Sequence, residues 1–203
     1  MILEINPLYP QPRRIAQVVE ALKKGGVVAY PTDTVYGLGC DIHNKKALRR
    51  LHQIKRQPES KPFSFICPDL SYISHYALVT NYAYKTLKRL LPGPYTFVLT
   101  GSREVPNMML TRRKTAGIRV PNHPIPLAIV ESLGHPLASA SATNPEGNEF
   151  MNAWEIDHAL GHSLEMVVDG GPVPGVASSV ISLVDDQPEV IREGAGPVDE
   201  FLP

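Results

Sequence analysis

The chain has 203 residues, of which 43% are hydrophobic and 20% charged, with a formal net charge of zero. That composition suits a globular protein with a real core, and the length suits a single domain spanning 1–203. No window approaches the roughly eighteen apolar residues that a membrane span needs, so no membrane partner is expected. The start, MILEINPLYPQPRR, is acidic and proline-rich before its first basic residues, the wrong order for a signal peptide. Two cysteines, Cys40 and Cys67, are too few for a disulfide framework or a zinc cluster, and they read as reduced cysteines of a cytoplasmic protein.

In chain order, Ile15, Val18, Val19 and Leu22 follow a helical spacing, so Pro12 to Lys24 is predicted as an amphipathic helix closed by Gly25-Gly26. VVAY is a short buried strand ending at Pro31. Asn44 can cap a second helix whose inner face carries Ala47, Leu51 and Ile54. PFSFIC is a strand with Phe63 and Phe65 on one face. A third helix carries Ala83, Leu87, Leu90 and Leu91 and stops at PGP. YTFVLT, rich in aromatic and β-branched residues, is a further strand. GIRVP, PLASAS, EMVVD, SSVISL and EVIRE supply more short strands, with helices at Ile125–Leu133 and Trp154–Leu160. The alternation predicts an α/β (α+β) domain built on a largely covered sheet.

Neutrality hides a segregation. Residues 1–119 hold 19 of the 20 Lys+Arg and 7 of the 20 Asp+Glu, whereas Arg192 is the one basic residue of 120–203. Unless folding interleaves the two halves, such an imbalance creates a basic surface suited to polyanions, either a nucleotide or RNA.

The motifs exclude more than they assign. No P-loop, no dinucleotide-binding glycine fingerprint and no nucleophile elbow is present. His158 and His162 stand four apart, but Gly161 interrupts them and no glutamate follows zincin spacing, so no protein-built metal site is expected. What remains is hydroxyl and cationic residues at predicted turns: Thr32 and Thr34 in PTDTVYG, Lys55, Arg56 and Lys61, Thr115 and Arg119, the SASATN and VASSV stretches, and Arg192. Arginine binds carboxylate or phosphate through a planar fork, and lysine acts as a mobile point charge. Such a set suits a nucleotide and an amino-acid carboxylate, with no obvious general base. Arg119 sits in an apolar setting, so it needs an anionic partner from substrate or protein.

PTDTVYGLGCD, KPFSFIC, LPGPYTFVL, GIRVPNHP, VVDGG, SSVISL and IREGAG occur in an order that resembles the YrdC/YciO family, from about Gly25 to Gly196, with flanks most similar to the YciO branch. The resemblance implies a YrdC-like fold of the double-stranded-RNA-binding type: a twisted, mostly mixed sheet flanked by helices, with a concave positive surface. It implies synthesis of L-threonylcarbamoyladenylate from L-threonine, bicarbonate and ATP, with pyrophosphate released and the product used in tRNA modification. ATP would enter as substrate, with Mg²⁺ on its phosphates, and no prosthetic group is implied. Carried over by position, Thr34, Arg119, Ser139 and Ser179 would hold threonine. Lys55, Arg56, Lys61, Thr115, Ser141 and Arg192 would hold ATP. Gln57 stands where the family pattern has arginine, Thr143 where it has asparagine, Leu91 where it has tryptophan, and Glu149-Phe150 where a further serine is expected. The resemblance also allows a second role, as a protein that binds double-stranded RNA, tRNA or the ribosome with weak or altered chemistry.

Overall fold

The computed structural model describes residues 1–202. Ten strands form one mixed sheet: β1 (Ile2–Glu4), β2 (Val28–Tyr30), β3 (Gly37–Asp41), β4 (Ser64–Ile66), β5 (Tyr95–Thr100), β6 (Thr115–Arg119), β7 (Leu137–Ser141), β8 (Met166–Asp169), β9 (Ser179–Ser182) and β10 (Glu189–Arg192). Their order across the sheet is β1-β8-β2-β3-β7-β4-β6-β5-β9-β10. The α/β class with a mixed sheet is therefore as expected. The order also interleaves the basic first part of the chain with the acidic second part, because β8 lies between β1 and β2 and β7 lies between β3 and β4.

Six α-helices flank the sheet: α1 (Pro12–Lys23), α2 (Lys45–Ile54), α3 (Leu70–Tyr76), α4 (Asn81–Leu90), α5 (Pro124–Leu133) and α6 (Ala153–Leu160). Their boundaries follow local chemistry. Pro12 takes a first-turn position of α1, where its missing N–H costs nothing. Asn44 accepts from the backbone N–H groups of Lys46 and Ala47 at the start of α2. Asp69 caps α3 in the same way, through Ser71 and Tyr72. Gly134, at φ +83°, ends α5 in the left-handed conformation that glycine adopts without a Cβ penalty.

Successive residues of a strand face opposite sides, and the two faces are covered differently. On one, Leu38, Cys40, Phe65, Phe97, Ile118 and Ala138 pack under Leu48 and Leu51 of α2, Ile73 of α3, Leu87 of α4 and Ile156 of α6. On the other, Val28, Tyr30, Ile66, Leu137, Met166 and Val168 lie under Ile15, Val18 and Leu22 of α1 and Ile125, Ile129 and Leu133 of α5. These last two helices pack together. Beyond them, across β7, β4, β6, β5 and β9, this second face is open.

Candidate functional site

That open face is a cleft of about 560 Å³. Its floor is set by strand alternation: Ser64 and Ile66 of β4, Thr96 and Val98 of β5, Thr115, Gly117 and Arg119 of β6, Ser139 and Ser141 of β7, and Val180 of β9. Gly117 keeps the middle of the floor low, since a Cβ there would lie 2.9 Å from Ser64 Oγ and 3.4 Å from Thr96 Cγ2.

At one end, Arg119 is buried, with its Nη2 pairing with Asp33 Oδ1 at 2.5 Å and donating to Thr34 Oγ1 at 2.8 Å. The anionic partner that its apolar setting demands is thus a protein carboxylate. Thr32 explains the density of hydroxyls after β2. Its Oγ1 donates to the Val35 carbonyl at 2.6 Å and accepts from the Thr34 and Val35 N–H groups, closing the turn that presents Asp33 and Thr34. The ion pair is one-sided: Asp33 Oδ2 and Arg119 Nε are both buried with no partner among the described residues. One acceptor and one donor are left unpartnered together. Tyr30 completes this end, with its hydroxyl 2.5 Å from Ser139 Oγ. Burial pushes that phenol up to about 12, against the opposing effects of the Ser139 hydrogen bond and the Arg119 charge, so it stays a neutral hydroxyl. Gly37 and Gly39 make room for the ring, since a Cβ at Gly39 would lie 2.7 Å from it.

At the other end the cations gather. Lys55, at the C-terminal cap of α2, donates from Nζ to the Ser141 carbonyl at 2.7 Å and to Thr143 Oγ1 at 2.6 Å. Burial lowers its pKa, with Lys61 acting in the same direction and Glu149 opposing. Arg192 donates through Nε and Nη2 to the Ser178 carbonyl, at 3.1 and 2.7 Å. Lys61, Gln57 and Thr111 complete this wall, and Thr111 Oγ1 lies 2.7 Å from Thr115 Oγ1.

The fold thus gathers Arg119, Ser139, Lys55, Lys61, Thr115, Ser141 and Arg192 around one cleft. Three other candidates lie outside its lining. Thr34 is fully buried behind Arg119. Ser179 is fully buried on the opposite face, where its hydroxyl donates to the Gly196 carbonyl and accepts from the Gly194 N–H. Ser178, one residue earlier, lines the cleft instead and bonds Thr96 Oγ1 at 2.9 Å. A one-residue step along an extended chain reverses the face. Arg56 adopts φ +48° just past α2 and borders a separate groove with Arg49, His52 and Glu59. Thr96 is a cleft residue that no motif singled out, whereas Thr143 and Ser178 lay in the SASATN and VASSV stretches and Glu149 at a departure from the family pattern, none of them with an assigned ligand. For Ser178, following the period-two pattern from Val180 would have been enough. Among the described residues no group of three His, Cys, Asp or Glu side chains is placed to hold a metal ion. His158 lies in α6, whereas His162 falls in the 3₁₀ turn beyond it.

A family model for Sua5, YciO and YrdC, described as telomere recombination, matches residues 20–194. The uncharacterized protein YciO of Escherichia coli (strain K12) is 44% identical over 201 residues, 98% of this chain and 97% of its own length. The crystal structure of E. coli YciO superposes with a TM-score of 0.95 at 42% identity, covering 100% of this chain and 99% of that one. A threonylcarbamoyl-AMP synthase of Vibrio vulnificus (strain YJ016) is 35% identical over 159 residues, 77% of this chain and 86% of its own. P. abyssi Sua5, in a crystal structure complexed with L-threonine, superposes with a TM-score of 0.92 at 29% identity, covering 98% of this chain and 59% of that one.

Proposed function

The chain belongs to the Sua5/YciO/YrdC family, and from that premise we propose that its cleft binds L-threonine and ATP and forms threonylcarbamoyl-adenylate, for modification of tRNA. The observation that carries the reading is the pair of unpartnered groups at Arg119 and Asp33. A free amino acid presents a carboxylate that can accept from the Arg119 guanidinium, which lines the cleft, and an ammonium that can donate to Asp33 once that carboxylate turns from Arg119 toward the cleft. The threonine hydroxyl finds its partner in the polar floor at Ser139, whose Oγ is held from behind by Tyr30. The triphosphate then lies toward Lys55, Lys61 and Arg192, with Thr115 and Ser141 beneath it and Mg²⁺ entering on the phosphates. Thr34 contributes by holding Arg119.

In this reaction the threonine ammonium gives up a proton to solvent, and the amine and bicarbonate condense to a carbamate with loss of water. A carbamate oxygen then attacks the α-phosphorus, the bond to the bridging oxygen breaks, and pyrophosphate leaves. Such a displacement asks the protein for alignment and for neutralisation of the departing charge, more than for a general base. A cleft with cations at one end and an amino-acid anchor at the other provides both.

The test is pyrophosphate release from ATP and bicarbonate, with and without L-threonine, together with detection of the adenylate by mass. Threonine-dependent release with the adenylate formed is the expected result. Release indifferent to threonine, or none from folded protein, overturns the synthase reading.

A second reading, RNA binding, has one specific observation in its favour. Away from the cleft, α4 lines a groove with Asn81, Tyr84, Lys85, Lys88 and Arg89, and Tyr84 is exposed. An aromatic ring among cations can stack a base while the cations meet phosphates. Arg89 is already paired with Glu200, which reduces that charge. This reading requires affinity for structured RNA that falls steeply with salt and is lost in Lys85→Ala/Lys88→Ala.

A further inference from the structure

Glu149 is the one acidic side chain among the residues lining the cleft, and it lies at the cationic end. Its position follows from the loop after β7. Gly147, at φ +90°, and the Asn144–Asn148 backbone bond turn the chain back, so that Glu149 pairs across from Thr143. Buried Ala142 and Phe150 anchor the base of this loop through the Phe150 N–H and the Ala142 carbonyl. Thr143 is the residue that accepts from Lys55 Nζ, so one loop presents both a ligand for the lysine and a carboxylate beside it. Glu149 Oε2 is buried with no hydrogen-bond partner, and among the described residues no cation lies within 4 Å to form an ion pair with it. The carboxylate is therefore committed to nothing, in a cavity whose cations have donors to spare. Lys55 uses two of its three N–H groups, and both go to neutral oxygens.

Resting on the nucleotide reading of this cleft, we propose that Glu149 is a specificity-determining residue that limits how much negative charge a ligand can bring to Lys55, Lys61 and Arg192. A phosphate entering here meets a fixed anion in a region partly shielded from water, where Coulomb repulsion is stronger than in bulk solvent. The penalty rises with each phosphate added, so Glu149 trims the advantage that Lys55, Lys61 and Arg192 give a nucleoside polyphosphate over a monophosphate ester. Burial raises the pKa of the Glu149 carboxyl, and Lys55 and Arg192 oppose the rise, which agrees with an acid desolvated among cations it does not touch.

The test is titration of the full chain with AMP, ADP and ATP by calorimetry, comparing the wild type with Glu149→Gln, Glu149→Ala and Lys55→Ala. The isosteric Gln variant tightens ATP about tenfold and AMP only about twofold, with ADP between them, and the gradient shrinks as salt is raised. The Ala variant follows the same order, which separates charge from loss of packing. An equal change for all three nucleotides, or none, overturns the role of Glu149. If Lys55→Ala still weakens ATP in that case, the nucleotide reading stands without it. If neither the wild type nor Glu149→Gln binds any of the three, both are overturned.

Discussion

One strand, β7, passes through both halves of the same sheet face. Leu137 is fully buried with Ile129 and Leu133 of α5, whereas Ser139 and Ser141, two and four residues on, line the cleft. The same division runs across the sheet. Val28, Met166 and Val168 lie under α1 and α5, while Ser64, Thr96 and Thr115 lie beyond them. Strand geometry is identical on both sides, so the difference lies in the side chains and in where the helices stop. A sheet face left uncovered must solvate itself, and here it does so with hydroxyls whose partners are largely within the sheet. Those hydroxyls leave a preformed polar floor, which binding need not first reorganise.

The largest effect expected from breaking this division is at its boundary. Arg119→Ala strands Asp33 as a buried carboxylate and should cost about 3–5 kcal/mol of stability, read from the urea midpoint. Arg119→Met combined with Asp33→Asn should recover much of that loss, because it removes both charges. A double variant no more stable than Arg119→Ala would mean that the pair is not the source of the cost. Loss of activity in Arg119→Ala alone therefore does not isolate a binding role.

Within β7 the contrast can be sharpened by one substitution on each side. Leu137→Ala opens a void under α5 and should cost about 3 kcal/mol, within the usual range for a buried leucine. Ser139→Ala should cost less in urea unfolding and fall mainly on threonine affinity. Equal stability losses would mean that the two halves are packed alike.

Filling the floor tests the open half directly. Gly117→Val places branched methyls against Ser64 and Thr96 and should weaken ligand binding by roughly thirtyfold, equivalent to about 2 kcal/mol. Titration with threonine and with ATP reads the effect. Unchanged affinity for both ligands would place them elsewhere.

The division itself was only partly legible in the sequence. YTFVLT is β5 to the residue, and the Asn44 cap was plain, because both depend on local chemistry. Gly37–Asp41 does not look like a strand, since its two glycines lower strand propensity. They are there because the Tyr30 ring crosses them, which only tertiary structure reveals. The helix Leu70–Tyr76 and the edge strand Ile2–Glu4 are too short for their periodicity to stand out. In the site, Lys55, Arg119, Ser139 and Arg192 converge because the strand order brings distant segments together. Ser179 shows the limit of motif matching: the motif located the segment, but the parity of the strand decides that Ser178 faces the cleft. Asp33 as the partner of Arg119 needed three dimensions, although a guanidinium between GI and VP had already demanded some anion.

The smallest expected effect lies at the start of α5, where the covered half meets the open one. The N-cap is a histidine: His123 Nδ1 accepts from the Ile125 N–H at 3.2 Å, which only an unprotonated nitrogen can do. Burial holds the His123 pKa below the usual 6.5, and the nearby Asp33 charge opposes that shift without reversing it. A histidine with a depressed folded pKa stabilises the fold above its unfolded pKa. That contribution is lost as the pH falls from about 6.5 through the folded value. Acidification from pH 7 to pH 5 should therefore cost about 1 kcal/mol at this cap, the scale of a single capping bond. His52, whose pKa burial also lowers, contributes with the same sign, so total acid sensitivity does not isolate the cap. The difference between wild type and His123→Asn does, because asparagine caps without titrating. The variant should match the wild type at pH 7 and exceed it at pH 5 in urea unfolding. Parallel losses in the two proteins would mean that the cap does not titrate, and that the boundary of α5 is held by its apolar face alone.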